Sequence, residues 1–298
     1  MMDPNERQSF SSEAHSARGR TLAASATTAK SFGHQPIRRH WRSLGRFWST
    51  ALAGEMEYQA NLLIELLAVG GNLAGSLFTL SLFFGHGQLL GGWSWNGALV
   101  VLGLHTLLDG FAGTLLRPNL GNLVKQVQSG TLDFVLLKPI DSQFWLSLRS
   151  FSPWGLPEMA VGIGLVLVGA SRSGARADGV TVATALLMLA CGLAILYSLW
   201  FVLAATSIWF VKVWNATEVL RSVLAAGRYP LSAYPPALRL VFTTVLPVAF
   251  LTTVPAQAIL GIAQPRWLVA SAAVALLSLV GCRAFWKLAL RHYTSASS

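Results

Sequence analysis

Between residues 61 and 290 long apolar runs follow one another, and nearly every Lys and Arg falls in the gaps on one alternating side of them. Apolar runs of about 20 residues match the hydrocarbon thickness of a bilayer, and one-sided basic gaps fix the direction of threading. The pattern predicts an all-α membrane protein. Of 298 residues, 53% are hydrophobic and 11% charged, roughly half the charged share of an average soluble domain. A soluble core could not hide so much apolar surface. The net charge of +10 does not form the basic stripe with interleaved aromatics that phosphate tracking requires, so no nucleic-acid partner is expected. Cys191 and Cys282 sit inside separate apolar runs, with neither metal-ligand spacing nor a disulfide framework. No metal and no cofactor are expected.

Residues 1–36 are rich in Ser, Ala, Thr and His and contain no apolar stretch that could serve as a signal-peptide core; they are expected to be a disordered cytoplasmic tail. Residues 37–298 form the membrane domain. It opens with an amphipathic segment, 37–58, in which Trp41, Leu44, Trp48, Leu52 and Met56 share a helical stripe and Arg38, Arg39, Arg42 and Arg46 lie mostly off it. Such a helix belongs in the headgroup layer. Six spans are expected at about 61–84, 97–116, 154–170, 180–210, 238–262 and 267–290. Nineteen basic residues in the segments on one side face only Arg172, Arg176 and Arg266 on the other, which places both termini in the cytoplasm. Trp93 and Trp95, in the base-free first loop, suit the outer interface.

Residues 214–262 admit two arrangements. In one, 214–236 lies flat on the cytoplasmic face and 238–262 crosses, interrupted by Pro247 and Pro255. In the other, 214–227 crosses and 230–262, beginning at Pro230, is a broken element re-entering from the outer side. Irregular backbone at membrane depth is tolerable only where protein or a watery cavity covers it. Hydropathy favours the first arrangement.

No phosphate-binding, metalloprotease, hydrolase or dinucleotide motif occurs, so no enzymatic activity is expected of this chain. Gly162-Ile163-Gly164 in an apolar run points to close helix packing. Four ionisable residues lie within or beside the spans: Glu65, His105, Asp109 and Glu158. Such groups face a bundle interior or water and find partners. His105 and Asp109, four apart, share a helix face and could form an intrahelical pair or a proton relay. In the basic loop after the second span, Leu120, Leu123, Val124 and Val127 make an apolar stripe on a short helix that starts after Pro118 and stops at Gly130. A stripe so short needs a groove to lie in.

That loop continues Gly130-Thr131-Leu132-Asp133-Phe134-Val135-Leu136-Leu137-Lys138-Pro139-Ile140. With Gly227-Arg228-Tyr229-Pro230, with Pro247-Val248-Ala249-Phe250-Leu251-Thr252-Thr253-Val254-Pro255-Ala256 and with the ending Arg291-His292-Tyr293-Thr294-Ser295-Ala296-Ser297-Ser298, it resembles the membrane permease subunits of type-2 ABC exporters. The nearer likeness is to the bacterial branch called ABC-2 family transporter proteins. The resemblance covers roughly residues 38–298. It implies a six-helix permease of the bacterial inner membrane that pairs with an identical or related permease and with two copies of a separate ATPase. It also implies an interfacial helix at 37–58, a coupling helix at 119–128 docked on the ATPase, and short broken helices on the outer side before the last span. The last point favours the re-entrant arrangement, against hydropathy. On this resemblance Leu123 and Val127 would anchor the ATPase, Gly130 would stop the helix, Asp133 and Lys138 would make polar contacts, and Pro139 would end the extended piece. A proton-driven secondary transporter and a non-transporting scaffold are the alternatives, although no half-to-half repeat supports the former.

Overall fold

The computed structural model describes residues 59–85, 89–175, 178–210 and 214–294. The expected tail and the interfacial helix at 37–58 lie outside the described residues. Among those residues five helices are long and apolar enough to cross a membrane, or six if one bent pair is counted as a span, and no strand forms. The all-α membrane class follows.

Helix α1 spans Gln59–Phe84, and before the next helix the chain makes a tight turn, Leu90 to Trp93, whose central residues Gly91 and Gly92 both have positive φ (57° and 87°). Two such residues in succession make a type I′ turn, which glycine adopts without a Cβ penalty. Trp93 is buried there and packs with Val100, Leu104 and Ala256. Ser94 then caps α2 (Trp95–Phe111) by accepting the Gly97 N–H at 3.2 Å.

Helix α2 does not stop where an apolar run of bilayer length would. It passes through a π-helical turn, Ala112–Leu116, into α3 (Arg117–Gln128), a continuous rod of 34 residues. Pro118 supplies the reason for the π turn: a proline ring crowds the carbonyl four residues back, and widening the preceding turn relieves it. At about 1.5 Å per residue the rod is roughly 50 Å long, well beyond a hydrocarbon core of about 30 Å. Its far part leads to α4 (Asp133–Leu136) and α5 (Ser142–Leu148).

Helix α6 (Leu156–Arg172) returns antiparallel to α2, and the two backbones touch. Gly155, Gly162 and Gly169 recur every seven residues and meet Gly110, Gly103 and Asn96 on α2. A Cβ on Gly103 would lie 2.8 Å from the Gly162 carbonyl oxygen, and one on Gly169 would lie 2.7 Å from that of Asn96. Between apolar helices in lipid, where burial from water gives no drive, such contact supplies the attraction. Gly164, two residues past Gly162 and off the seam, has nothing within 4 Å.

Helix α7 (Gly179–Ala205) and the last helix, α11 (Pro265–His292), pack along their lengths, with Phe201 edge-on to Trp286 at 5.4 Å between centroids. Between them in sequence come α8 (Trp214–Leu224), a 3-10 turn (Ala225–Arg228), α9 (Pro236–Thr244) and α10 (Thr253–Ile259). The run expected at 238–262, interrupted by Pro247 and Pro255, is a bent pair: α9 meets the following 3-10 turn with α10 at 73°. Both ends of the bent pair sit beside the α1–α2 turn. At one end Ser232 donates to the Gly91 carbonyl at 2.7 Å, and at the other Leu260 approaches Gly97. Its tip reaches Gly192, where a Cβ would lie 3.2 Å from the Phe250 carbonyl oxygen; thirteen residues into α7 is about 20 Å of depth. The two ends of the bent pair therefore lie together beside the α1–α2 turn. Pro247 marks the break. Pro255 lies in the first turn of α10, where its missing N–H would be unpaired anyway, and Pro230 holds Tyr229 extended (φ −116°, ψ 153°). Hydropathy missed this because it records apolarity and not direction.

Gly162→Leu should drive α2 and α6 apart, costing on the order of 3 kcal/mol or more. The expected result is loss of monodisperse protein from detergent extracts by size-exclusion chromatography, with Gly164→Leu extracting like wild type.

Candidate functional site

Where the bent pair meets α2, α7 and α8, the chain encloses a cavity of about 80 Å³ open to water-sized molecules. Its apolar wall comes from Leu108, Leu196, Leu224 and Leu251. Its polar groups come from five elements: Asn72 on α1, His105 and Asp109 on α2, Trp200 on α7, Arg221 on α8 with Arg228 in the turn after it, and Thr252 before α10. Arg221 and Arg228 are seven residues apart and so project from one face over two helical turns.

The expected His105–Asp109 pair is not what forms. Asp109 makes an ion pair with Arg117, and the π turn brings that guanidinium back along the helix to the carboxylate. His105 is half-buried against the Leu224 backbone, with Arg228, Arg117 and Arg221 near enough to act on its charge. The one carboxylate lining the cavity is therefore engaged, whereas Arg221 and Arg228 have no acidic partner among the described residues. Two more groups point the same way: the Trp200 indole N–H and the Thr252 hydroxyl are buried with no hydrogen-bond partner among the described residues. Glu158 lies in the first turn of α6, favoured by the helix dipole there. Glu65 belongs to α1, but its side chain lies outside the described residues.

The loop at the opposite end departs from expectation more sharply. Leu120, Leu123 and Val124 are turned inward, and Leu123 is 0% exposed, packed in a core with Leu146, Ile195, Phe201 and Trp286. Val127 is half-buried against the same core. Leu120, Leu123 and Val124 thus find their groove within the bundle itself. Gly130 (φ 68°) does end α3. What the loop presents outward is Phe134 (69% exposed) and Leu137 (81%), with Leu136, Lys138 and Pro139 beside them. Lys138 rests over the Trp145 ring at 4.1 Å, and Asp133 opens α4 half-buried.

Polar bonds fasten this loop to the spans. Asn119 donates to the Leu115 and Ser150 carbonyls at 2.7 and 2.6 Å and accepts the Ser150 N–H at 2.7 Å. Gln143 donates to the Tyr197 hydroxyl at 3.1 Å and accepts from Arg283 at 3.0 Å, and the Trp286 N–H donates to Ser142 at 3.1 Å. Arg283 also grips both oxygens of Asp141, which caps α5 through the Phe144 N–H at 2.9 Å. The Arg283 hydrogen bond holds the Asp141 carboxyl below the usual carboxylate range despite some burial. A depressed folded-state value stabilises above the ordinary carboxylate pKa and is lost as pH falls through the lower one. Asp141→Asn should therefore lower Tm in detergent at pH 7, and its deficit against wild type should shrink as pH drops below about 4.

No curated protein and no solved structure matches the chain. The family described as ABC-2 family transporter protein matches residues 71–297, which takes in α2 to α11, the cavity and the clamped loop. The chain belongs to the ABC-2 family of membrane transport permeases.

Proposed function

We propose that the chain is the permease subunit of an ATP-driven exporter in the bacterial inner membrane, with both termini cytoplasmic. It would pair with a second permease, identical or related, and with two copies of a separate ATPase. The observation that carries this reading is the exposed apolar group Phe134, Leu136 and Leu137 on a loop fastened to α7 and α11. Large apolar side chains on an otherwise polar loop mark a docking surface, and the polar clamp would pass its displacement to the spans as a rigid body. This moves the ATPase contact from Leu123 and Val127 to α4 and its neighbour Leu137.

Orientation follows from the bases once the bent pair is placed. Arg239 donates to the Ser232 and Tyr234 carbonyls beside the α1–α2 turn, and Arg221 and Arg228 line the cavity. The remaining cytoplasmic bases still greatly outnumber those on the other side. The translocation path would run along α8, where Glu218, Arg221 and Ser222 are exposed at depth; polar groups there face water or protein rather than lipid. A proton relay through His105 and Asp109 loses its basis, since Asp109 is paired with Arg117.

Phe134→Asp with Leu137→Asp should lower recovery of the co-purifying ATPase at least tenfold and abolish ATP-dependent transport, while membrane insertion stays intact. Undiminished co-purification would overturn the docking assignment.

A further inference from the structure

The cavity holds an excess of hydrogen-bond donors and of positive charge that its own side chains do not satisfy. Arg221 and Arg228 have no acidic partner among the described residues, and the one carboxylate in the wall, Asp109, is bound to Arg117. Trp200, 5% exposed, and Thr252, 2% exposed, line the same space with an indole N–H and a hydroxyl that have no partner among the described residues. A buried donor without an acceptor costs free energy, and uncompensated cations at membrane depth cost more. An acceptor-rich anion would satisfy all four groups at once: guanidinium forks match carboxylate and phosphate oxygens, and the indole can only donate. The volume of about 80 Å³ exceeds by several-fold the roughly 10–15 Å³ that one water needs on this measure, enough for a headgroup and too little for a whole amphiphile.

We infer that this cavity binds a phosphate or carboxylate group, either as a free anion or as the headgroup of an anionic amphiphile, held by Arg221 and Arg228 with Trp200 and Thr252 donating. The inference rests on the permease reading only in treating that anion as cargo. Binding measured without nucleotide separates the two: retained binding with failed transport would count against the exporter alone.

The test is equilibrium binding to the purified full chain, with whatever subunits accompany it, in non-ionic detergent. Oleoyl lysophosphatidate should bind saturably, one per chain, at least tenfold more tightly than its neutral counterpart, monooleoylglycerol. Arg221→Gln with Arg228→Gln should weaken it at least tenfold, Trp200→Phe a few-fold, and Arg239→Gln not at all. Competition by millimolar orthophosphate would assign the site to free anions as well; failure to compete, with lysophosphatidate still bound, would assign it to lipid headgroups. Equal binding of monooleoylglycerol, or undiminished binding by a monodisperse double variant, would overturn the proposal. Should the double variant not extract as monodisperse protein, Arg221→Gln alone, at an exposed position, carries the same requirement with a several-fold loss.

Discussion

The backbone contact between α2 and α6 is the constraint on which the remaining architecture rests. Helices in lipid gain little from hiding apolar surface from each other, so close approach has to come from small residues that let main chains meet. Three glycines at seven-residue intervals, Gly155 just before α6 and Gly162 and Gly169 on it, face Gly110, Gly103 and Asn96 and provide that along the length of the pair. Asn96 adds a polar closure at the end of the seam by donating to the Arg172 carbonyl at 3.0 Å. With this pair fixed, the rod formed by α2 and α3 has one defined direction out of the bilayer, and the loop it carries has one defined position.

The bent pair α9–α10 shows how a chain places irregular backbone at depth. Main-chain groups there need partners from protein because lipid offers none. Leu231 N–H donates to the Thr253 hydroxyl at 3.3 Å, and the Tyr234 hydroxyl donates to the Ala226 carbonyl at 2.9 Å. Buried apolar residues of the tip, Val248, Phe250 and Leu251, fit against the middle of α7 and the turn after α8. The same insertion closes one wall of the cavity, so the element that breaks the helical pattern also creates the polar chamber.

At the other end the loop is organised by side chains rather than by apolar burial alone. Asn119, Gln143 and Arg283 each bridge two elements, and a carboxylate at Asp141 serves as helix cap and ion-pair partner together. Several such bonds in one place give the loop a fixed pose relative to α7 and α11.

Apolar run length, glycine spacing and the one-sided distribution of Lys and Arg were enough to establish an all-α membrane bundle, the helix stop at Gly130 and the packing role of Gly162, because each depends on local periodicity or on a residue's own backbone freedom. The stripe Leu120, Leu123, Val124 and Val127 was equally legible as a stripe, but its partner was not: whether an apolar face meets another chain or its own bundle depends on where α5, α7 and α11 come to lie. Direction is the other quantity hidden from hydropathy: the sequence leaves two arrangements of 214–262 open, and only the tertiary structure sets Ser232 beside Gly91 and Leu260 beside Gly97. His105 and Asp109 share a face by spacing, yet a π turn three residues further on brings Arg117 to the carboxylate first. The cavity itself, with Arg221, Arg228, Trp200 and Thr252 gathered from distant positions, has no signature along the chain. It exists only because an inserted segment folds back between helices that a glycine seam already holds in place.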